Sequence, residues 1–231
     1  MKIKFKVKGK NDSSIGKIEF DLKRLLIVGY SGSNIEKIME HIKELKEHLG
    51  VPEPKKIPTI FECSKELLTK EKDIKFVGNM TSGEVEYLII KHLNEIYIGI
   101  GSDHTDRKLE SISVLKAKQI CPKPIGEEVW LYKDIKESWN EIEAESYQNI
   151  NGQRVLYQKG RLSEILSVEK IISELENRVG NIEDSIIFSG TVPLESNFKY
   201  GDEFICKIFD KSNNSSLNLN YKINKISEEE K

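Results

Sequence analysis

Cysteine is scarce in this sequence. Cys63, Cys121 and Cys206 are the only three in 231 residues, odd in number and far apart. No CxxC pair occurs, which argues against a disulfide framework or a thiolate zinc site and leaves reduced cytosolic thiols as the expectation. Histidine is equally thin, at four residues with no HExxH, and His48 and His92 have no partner at ligand spacing. No uninterrupted apolar run approaches the roughly 18–20 residues of a membrane span. The opening MKIKFKVKGK alternates lysine with apolar residues, as a strand with one wetted face does and the apolar core of a signal peptide does not. An excess of positive charge is also missing: 36 Lys and Arg face 38 Asp and Glu, for a net charge of −2 and a pI near 6.2. Neutralising a phosphate backbone needs a basic surplus or a basic face, so nucleic acid is not an expected partner. These absences predict a cytoplasmic globular protein with neither a membrane nor a nucleic-acid partner.

Hydrophobic residues make up 38% of the chain and charged residues 32%, which is polar, yet the apolar positions recur in ordered patterns that rule out wholesale disorder. The length suits one domain over 1–231, with N-terminal strands in 1–24 and a C-terminal strand and polar tail in 211–231. KIKFKV, KIEF and LLIVGY are strand patterns, the first two separated by a turn between Lys10 and Gly16. Ile35, Ile38, Met39, Ile42, Leu45 and Leu49 fall at helical spacing behind a Ser33 or Asn34 cap, and Gly50 and Pro52 end that helix. Residues 51–60, with three prolines, predict an extended loop. Strands are expected over 84–90 and 96–101, around a turn at Asn94. A helix is expected from Ser163 to Arg178, then strands IIFSGTVP and EFICKIF, with NLNYKI as an edge strand. Strands dominate, so the expected class is mainly β within α+β, with a few peripheral helices.

Glu84 and Glu86 open one of these strands, and residues two apart on a strand share a face. Paired carboxylates followed by buried Leu88 and Ile90 require a cation or a shared proton, and Mg²⁺ takes such oxygen ligands. The same spacing also fits a strand end with both glutamates in water. The string Gly101-Ser-Asp-His-Thr-Asp-Arg-Lys-Leu-Glu110 follows the next strand. Asp103 there could add a third carboxylate and Arg107 could clamp a substrate carboxylate. A cap-and-turn cluster, with Arg107 on Asp106, accounts for the string equally well. Lys118 is either a partly desolvated amine or an ordinary surface lysine. His41 and Glu44 lie three apart on one helix, as a water-activating dyad or an exposed pair would. Gly29-Tyr30-Ser31-Gly32-Ser33 fits no nucleophile elbow, P-loop or full GxGxxG.

Taken in order, these motifs resemble the fumarylacetoacetate hydrolase superfamily over roughly residues 25–210, in a subgroup marked by GSDHTDRxxE. His41-Ile-Lys-Glu44 looks like its HxxE lid, Glu84-Val-Glu86 its ExE, and Asp103 with Arg107 its D-x-x-x-R. Lys118 looks like its lysine, and Gly190-Thr191 with Gly201-Asp202 its C-terminal loop. The resemblance implies a rolled, mixed or antiparallel β structure in which Glu84, Glu86 and Asp103 hold one Mg²⁺ or Mn²⁺. It implies a small 2-oxo or β-diketo carboxylate as substrate, held by Arg107, Lys118, Thr191 and Glu110, with His41, Glu44 and Lys118 in catalytic roles. C–C bond hydrolysis by a homodimer is the implied activity. Decarboxylation, isomerisation or dehydration is the alternative, and a non-catalytic metabolite-binding domain a third reading. Four departures stand out. The stretch from Gly29 to His41 is long, and Glu110 replaces a common amide. The Lys118 loop runs through Cys-Pro-Lys-Pro, and the loop after Thr191 lacks a second glycine.

Overall fold

The computed structural model describes residues 1–227, except for the side chains of His41, Leu45, His48 and Leu49. In chain order the strands are β1 (Lys2–Lys8), β2 (Ser14–Asp21), β3 (Arg24–Gly29), β4 (Thr59–Cys63), β5 (Leu68–Thr69), β6 (Asp73–Val77), β7 (Thr81–Ser82), β8 (Val85–His92) and β9 (Glu95–Ser102). They continue with β10 (Thr105–Asp106), β11 (Lys123–Pro124), β12 (Glu128–Leu131), β13 (Glu143–Ile150), β14 (Gln153–Arg161), β15 (Ser185–Thr191), β16 (Glu203–Asp210) and β17 (Ser215–Ile226). The helices are α1 (Ile35–Leu49), α2 (Arg107–Glu110), α3 (Val114–Gln119), α4 (Tyr132–Ile135) and α5 (Val168–Val179). The fold is mainly β, and among the described residues no helix is long and apolar enough to cross a membrane.

An eight-stranded sheet in the order β2-β1-β12-β9-β8-β15-β3-β4 faces a five-stranded one, β14-β13-β16-β17-β6. Strand β8 runs through the middle of the larger sheet, and six of its eight residues, from Val85 to Ile90, are buried. Its alternation divides them: Tyr87 and Ile89 enter the core between the sheets, while Leu88 and Ile90 enter a second core on the other face. Phe5 and Phe20 from one end of the large sheet share that second core with Ile27 and Cys63 from the other end. Phe20 of β2 also stacks on His92 of β8 at 5.0 Å between ring centroids although β1, β12 and β9 lie between those strands in the sheet order, so the sheet is rolled.

Three segments depart from the sequence-based expectation. The stretch NLNYKI lies within β17, which pairs antiparallel with β16 and parallel with β6 and is therefore interior; β6 is the edge strand. Its alternation hides Leu217, Leu219, Tyr221 and Ile223 against the core, so a polar strand of this kind has one apolar face. The fifth helix begins at Val168 with a Ser167 cap, not at Ser163. Leu166 instead donates its N–H to Ser31 O at 2.7 Å, and Ile165 bridges Gly32. Residues Thr59 and Ile60, expected in a loop, begin β4. One hairpin was not anticipated: β13 and β14 turn at Asn151-Gly152, both at positive φ (52° and 77°), the left-handed geometry a two-residue hairpin turn demands.

Candidate metal centre

Strand β8 runs antiparallel to both β9 and β15, so its start lies beside their ends. Because β3 is parallel to β15, its end arrives at the same rim. Glu84 and Glu86, at the start of β8, thereby meet Asp103, just past β9. Carboxylate oxygens of the three lie within 4.8 Å of one another. Asp103 is fully buried, Glu86 nearly so, and the Glu84 side chain is 16% exposed. A shift of register in β15 between Phe188 and Thr191 releases the Gly190 N–H from the ladder, and it donates to Glu86 Oε2 at 2.9 Å. Gly190 sits at φ +94°, and a Cβ there would overlap Ser31 Oγ and stand 3.0 Å from Val28 O.

Three cations surround the cluster. Lys118, from α3, and Lys123, from β11, both pair with Asp103, the second at 3.1 Å. Lys123 is wholly buried and also donates to the His104 carbonyl. Burial pushes the Asp103 carboxyl up, but the charges of Lys118 and Lys123 outweigh it and hold it well below the usual aspartate range. Glu86 behaves oppositely: burial, followed by the Asp103 charge, raises its pKa well above the ordinary glutamate value. Three crowded oxygen donors, one of them held against its own ionisation, fit a hard divalent cation such as Mg²⁺ or Mn²⁺.

Arg107 opens α2 behind an Asp106 cap whose side chain accepts from Lys108 and Leu109 N–H groups. Its Nε donates to Ser82 Oγ at 2.8 Å, and it pairs with Glu84 and with Glu110, each at 3.1 Å. Phe198 covers the guanidinium face at 4.5 Å. The fork is thus filled by protein acceptors, an arrangement that holds Glu84 and Glu110 in place. The Thr191 hydroxyl donates to Val85 O at 2.6 Å and accepts from Gln158 at 2.7 Å, so its proton is engaged as well. Glu44 lies on an exposed turn of α1; the His41 side chain lies outside the described residues, so the pairing expected between them is a matter of sequence alone.

Two further residues at this rim went unassigned in the sequence. Lys123 was signalled only by its two flanking prolines. Tyr30, just past β3, adopts φ +53°, rare for a non-glycine residue. His104, inside the GSDHTDRxxE string, stacks on Phe76 at 3.8 Å between ring centroids, and its Nδ1 meets the Tyr221 hydroxyl at 2.8 Å. Burial holds its imidazole pKa well below the usual histidine value, so it is neutral packing at the base of the site. At the opposite end of β8, His92 does find partners the sequence did not indicate: Asp184 lies 2.7 Å from its Nδ1, with Glu183 close by. Lys23, 2.8 Å from Asp184, already supplies a cation there.

Residues 28–221 match the family described as "Protein of unknown function (DUF2848)". The chain belongs to that family. No curated protein matches it. Among solved structures, a crystal form of 2-keto-3-deoxyarabinonate dehydratase is similar with a TM-score of 0.69 and 19% identity, over 90% of this chain and 76% of that one. 2-Keto-3-deoxy-D-arabinonate dehydratase complexed with magnesium and 2,5-dioxopentanoate gives 0.65 and 19%, over 90% and 75%. A yeast protein of the fumarylacetoacetate hydrolase family gives 0.61 and 16%, over 88% and 94%. At such identities the likeness establishes a shared fold, that of fumarylacetoacetate hydrolase-family proteins.

Proposed function

We propose that this DUF2848 member is a divalent-metal-dependent enzyme acting on a small 2-oxo or β-diketo carboxylate, with Glu84, Glu86 and Asp103 as ligands to Mg²⁺ or Mn²⁺. The observation that carries the proposal is the convergence of these three carboxylates, two of them buried, at one rim of the rolled sheet. Glu84, Glu86 and Asp103 would hold the ion, which would supply Lewis-acid chemistry to the substrate's oxygens. The protein's own groups do the rest. Arg107 fixes Glu84, and the Gly190 N–H fixes Glu86. Lys118, whose side chain is more exposed than those of Arg107 and Lys123, would hold the substrate carboxylate. Thr191 offers an oxygen acceptor. His41 with Glu44 moves the proton, as a water-activating dyad on α1.

C–C bond hydrolysis is the outcome favoured by the ordered motifs. Dehydration is the second reading, supported by the similarity to 2-keto-3-deoxyarabinonate dehydratases, one of them complexed with magnesium. Product analysis separates the two: hydrolysis yields two carbon fragments, dehydration one product lighter by a water. A homodimer is proposed as the assembly, and a monomer by light scattering would refute it. Titration calorimetry of chelator-stripped protein with Mg²⁺ and Mn²⁺, with and without oxalate as an enolate mimic, tests the centre itself. Oxalate should bind only with metal, and Glu84→Ala and Asp103→Ala should abolish both binding and turnover. Metal-independent oxalate binding, or full activity in both variants, would overturn the assignment.

A further inference from the structure

Val85 lies between the two glutamate ligands, and side chains instead of a strand hold one edge of its backbone. The pairing of β15 with β8 shifts register after Phe188 and resumes at Thr191, opposite Glu86, so β15 has no residue paired with Val85. Gln158 and Thr191 take that place. The Val85 N–H donates to Gln158 Oε1 at 2.9 Å, Gln158 Nε2 donates to Thr191 Oγ1 at 2.7 Å, and the Thr191 hydroxyl donates to Val85 O at 2.6 Å. These bonds close a ring through both peptide groups that flank Val85, one shared with Glu84 and the other with Glu86. Asp103 is tied to the same stretch, since its N–H donates to Glu84 O at 3.1 Å.

Gln158 reaches this point from β14, in the other sheet, and is wholly buried. Strands β13 and β14 shift register between Ser146 and Tyr147, and the consecutive residues Tyr157 and Gln158 are both buried there, as a bulge allows. Ser146 Oγ donates to Gln158 Oε1 at 2.9 Å, and Gln158 Nε2 also donates to Val192 O at 2.9 Å. An amide side chain offers two N–H donors and an oxygen with two lone pairs, and here all of them are used. Reversing the amide would set N–H groups against the Val85 and Ser146 donors, so its orientation is fixed. A buried amide this fully engaged is a rigid strut, because each lost partner leaves a polar group unpaired in the core.

We propose that Gln158 is a positioning residue of the metal centre: through Val85 and Thr191 it sets the backbone from which Glu84 and Glu86 reach the ion. This rests on the metal-dependent function proposed above. The test is calorimetric titration of the chelator-stripped full chain with Mg²⁺, alongside the electron paramagnetic resonance spectrum of bound Mn²⁺, whose line shape reports the symmetry of the ligand set. Gln158→Met, close in volume, should weaken Mg²⁺ binding about ten-fold or more, the scale expected when a group that orients a ligand is lost, and should change the Mn²⁺ line shape. Thr191→Val opens the same ring with a smaller change and should weaken Mg²⁺ binding likewise. Because the two side chains act as one unit, the double variant should stay within about two-fold of the weaker single one. A purely structural amide would lower stability and leave Mg²⁺ affinity and line shape alone. That result in folded Gln158→Met, or in Thr191→Val should the first variant not fold, would overturn the proposal, as would losses that add in the double variant. Failure of the unmodified chain to bind Mg²⁺ sinks the metal-dependent function and this inference with it. Mg²⁺ binding that both substitutions leave unchanged sinks this inference only.

Discussion

Gly190 joins two parts of the rim that are distant in sequence. Its N–H holds Glu86, while the turn carrying Tyr30 packs so closely on its α-carbon that a methyl group there overlaps Ser31 Oγ. At φ +94° any side chain is also strained. Gly190→Ala should therefore destabilise the protein by roughly 2 kcal/mol or more and abolish Mg²⁺ binding, measured by denaturant unfolding and calorimetry. Mg²⁺ affinity unchanged in a folded variant would separate the turn from the centre. Asp184 makes a contrasting case in a more exposed setting. Hydrogen bonds from Lys23, then His92, lower its pKa below the ordinary value of 3.8. A depressed carboxylate stabilises the fold above that ordinary value, and the contribution is lost as pH falls through the folded pKa. Asp184→Asn should thus cost less than about 1 kcal/mol at neutral pH, given solvent screening. The gap from the unmodified protein should close in strong acid; a gap that persists there would assign the loss to packing instead.

At the scale of elements, β8 has the most to support. Its apolar run is continuous because both faces are covered, and adjacent residues serve different cores: Ile89 the one between the sheets, Ile90 the one inside the roll. Ile89→Val and Ile90→Val should each cost about 1 kcal/mol. Because the methyl groups removed lie on opposite faces, the double variant should equal the sum within about 0.5 kcal/mol. A larger coupling in denaturant unfolding would mean that the two cores relax together. The same strand begins just after Glu84 and carries Glu86, so a strand buried over six of its eight residues fixes two of the three proposed ligands. Neighbouring α2 and α3 are short and are held by side-chain caps from Asp106 and Ser113, which set where Arg107 and Lys118 emerge.

For the whole molecule, the proposed metal binding would be linked to folding, since the three carboxylates converge only when β8 and β9 are paired. Free Mg²⁺ at a hundred times its dissociation constant should add about 2.7 kcal/mol to the stability of the native state. Thermal unfolding of chelator-stripped protein should accordingly shift upward with Mg²⁺, and Glu84→Ala should remove the shift. An equal shift in that variant would point to binding elsewhere. Lys118 and Lys123 explain how the fold tolerates the cluster without an ion, as both neutralise Asp103 from segments some twenty residues or fewer away.

The sequence by itself determined what depends on neighbours along the chain. Alternation marked β8 and β9, helical spacing marked α1, and the two-residue step put Glu84 and Glu86 on one side. Motif order added Asp103, Arg107 and Lys118. Tertiary structure alone decided what those groups touch. That Arg107 is spent on Glu84 and Glu110, and that Lys123 rather than a distant surface carries the second charge at Asp103, both depend on strands brought together from far apart. The NLNYKI segment became interior for the same reason. Strand periodicity reveals which face of a segment is apolar, but the number of its neighbours is set by sheet order, and no local pattern encodes that.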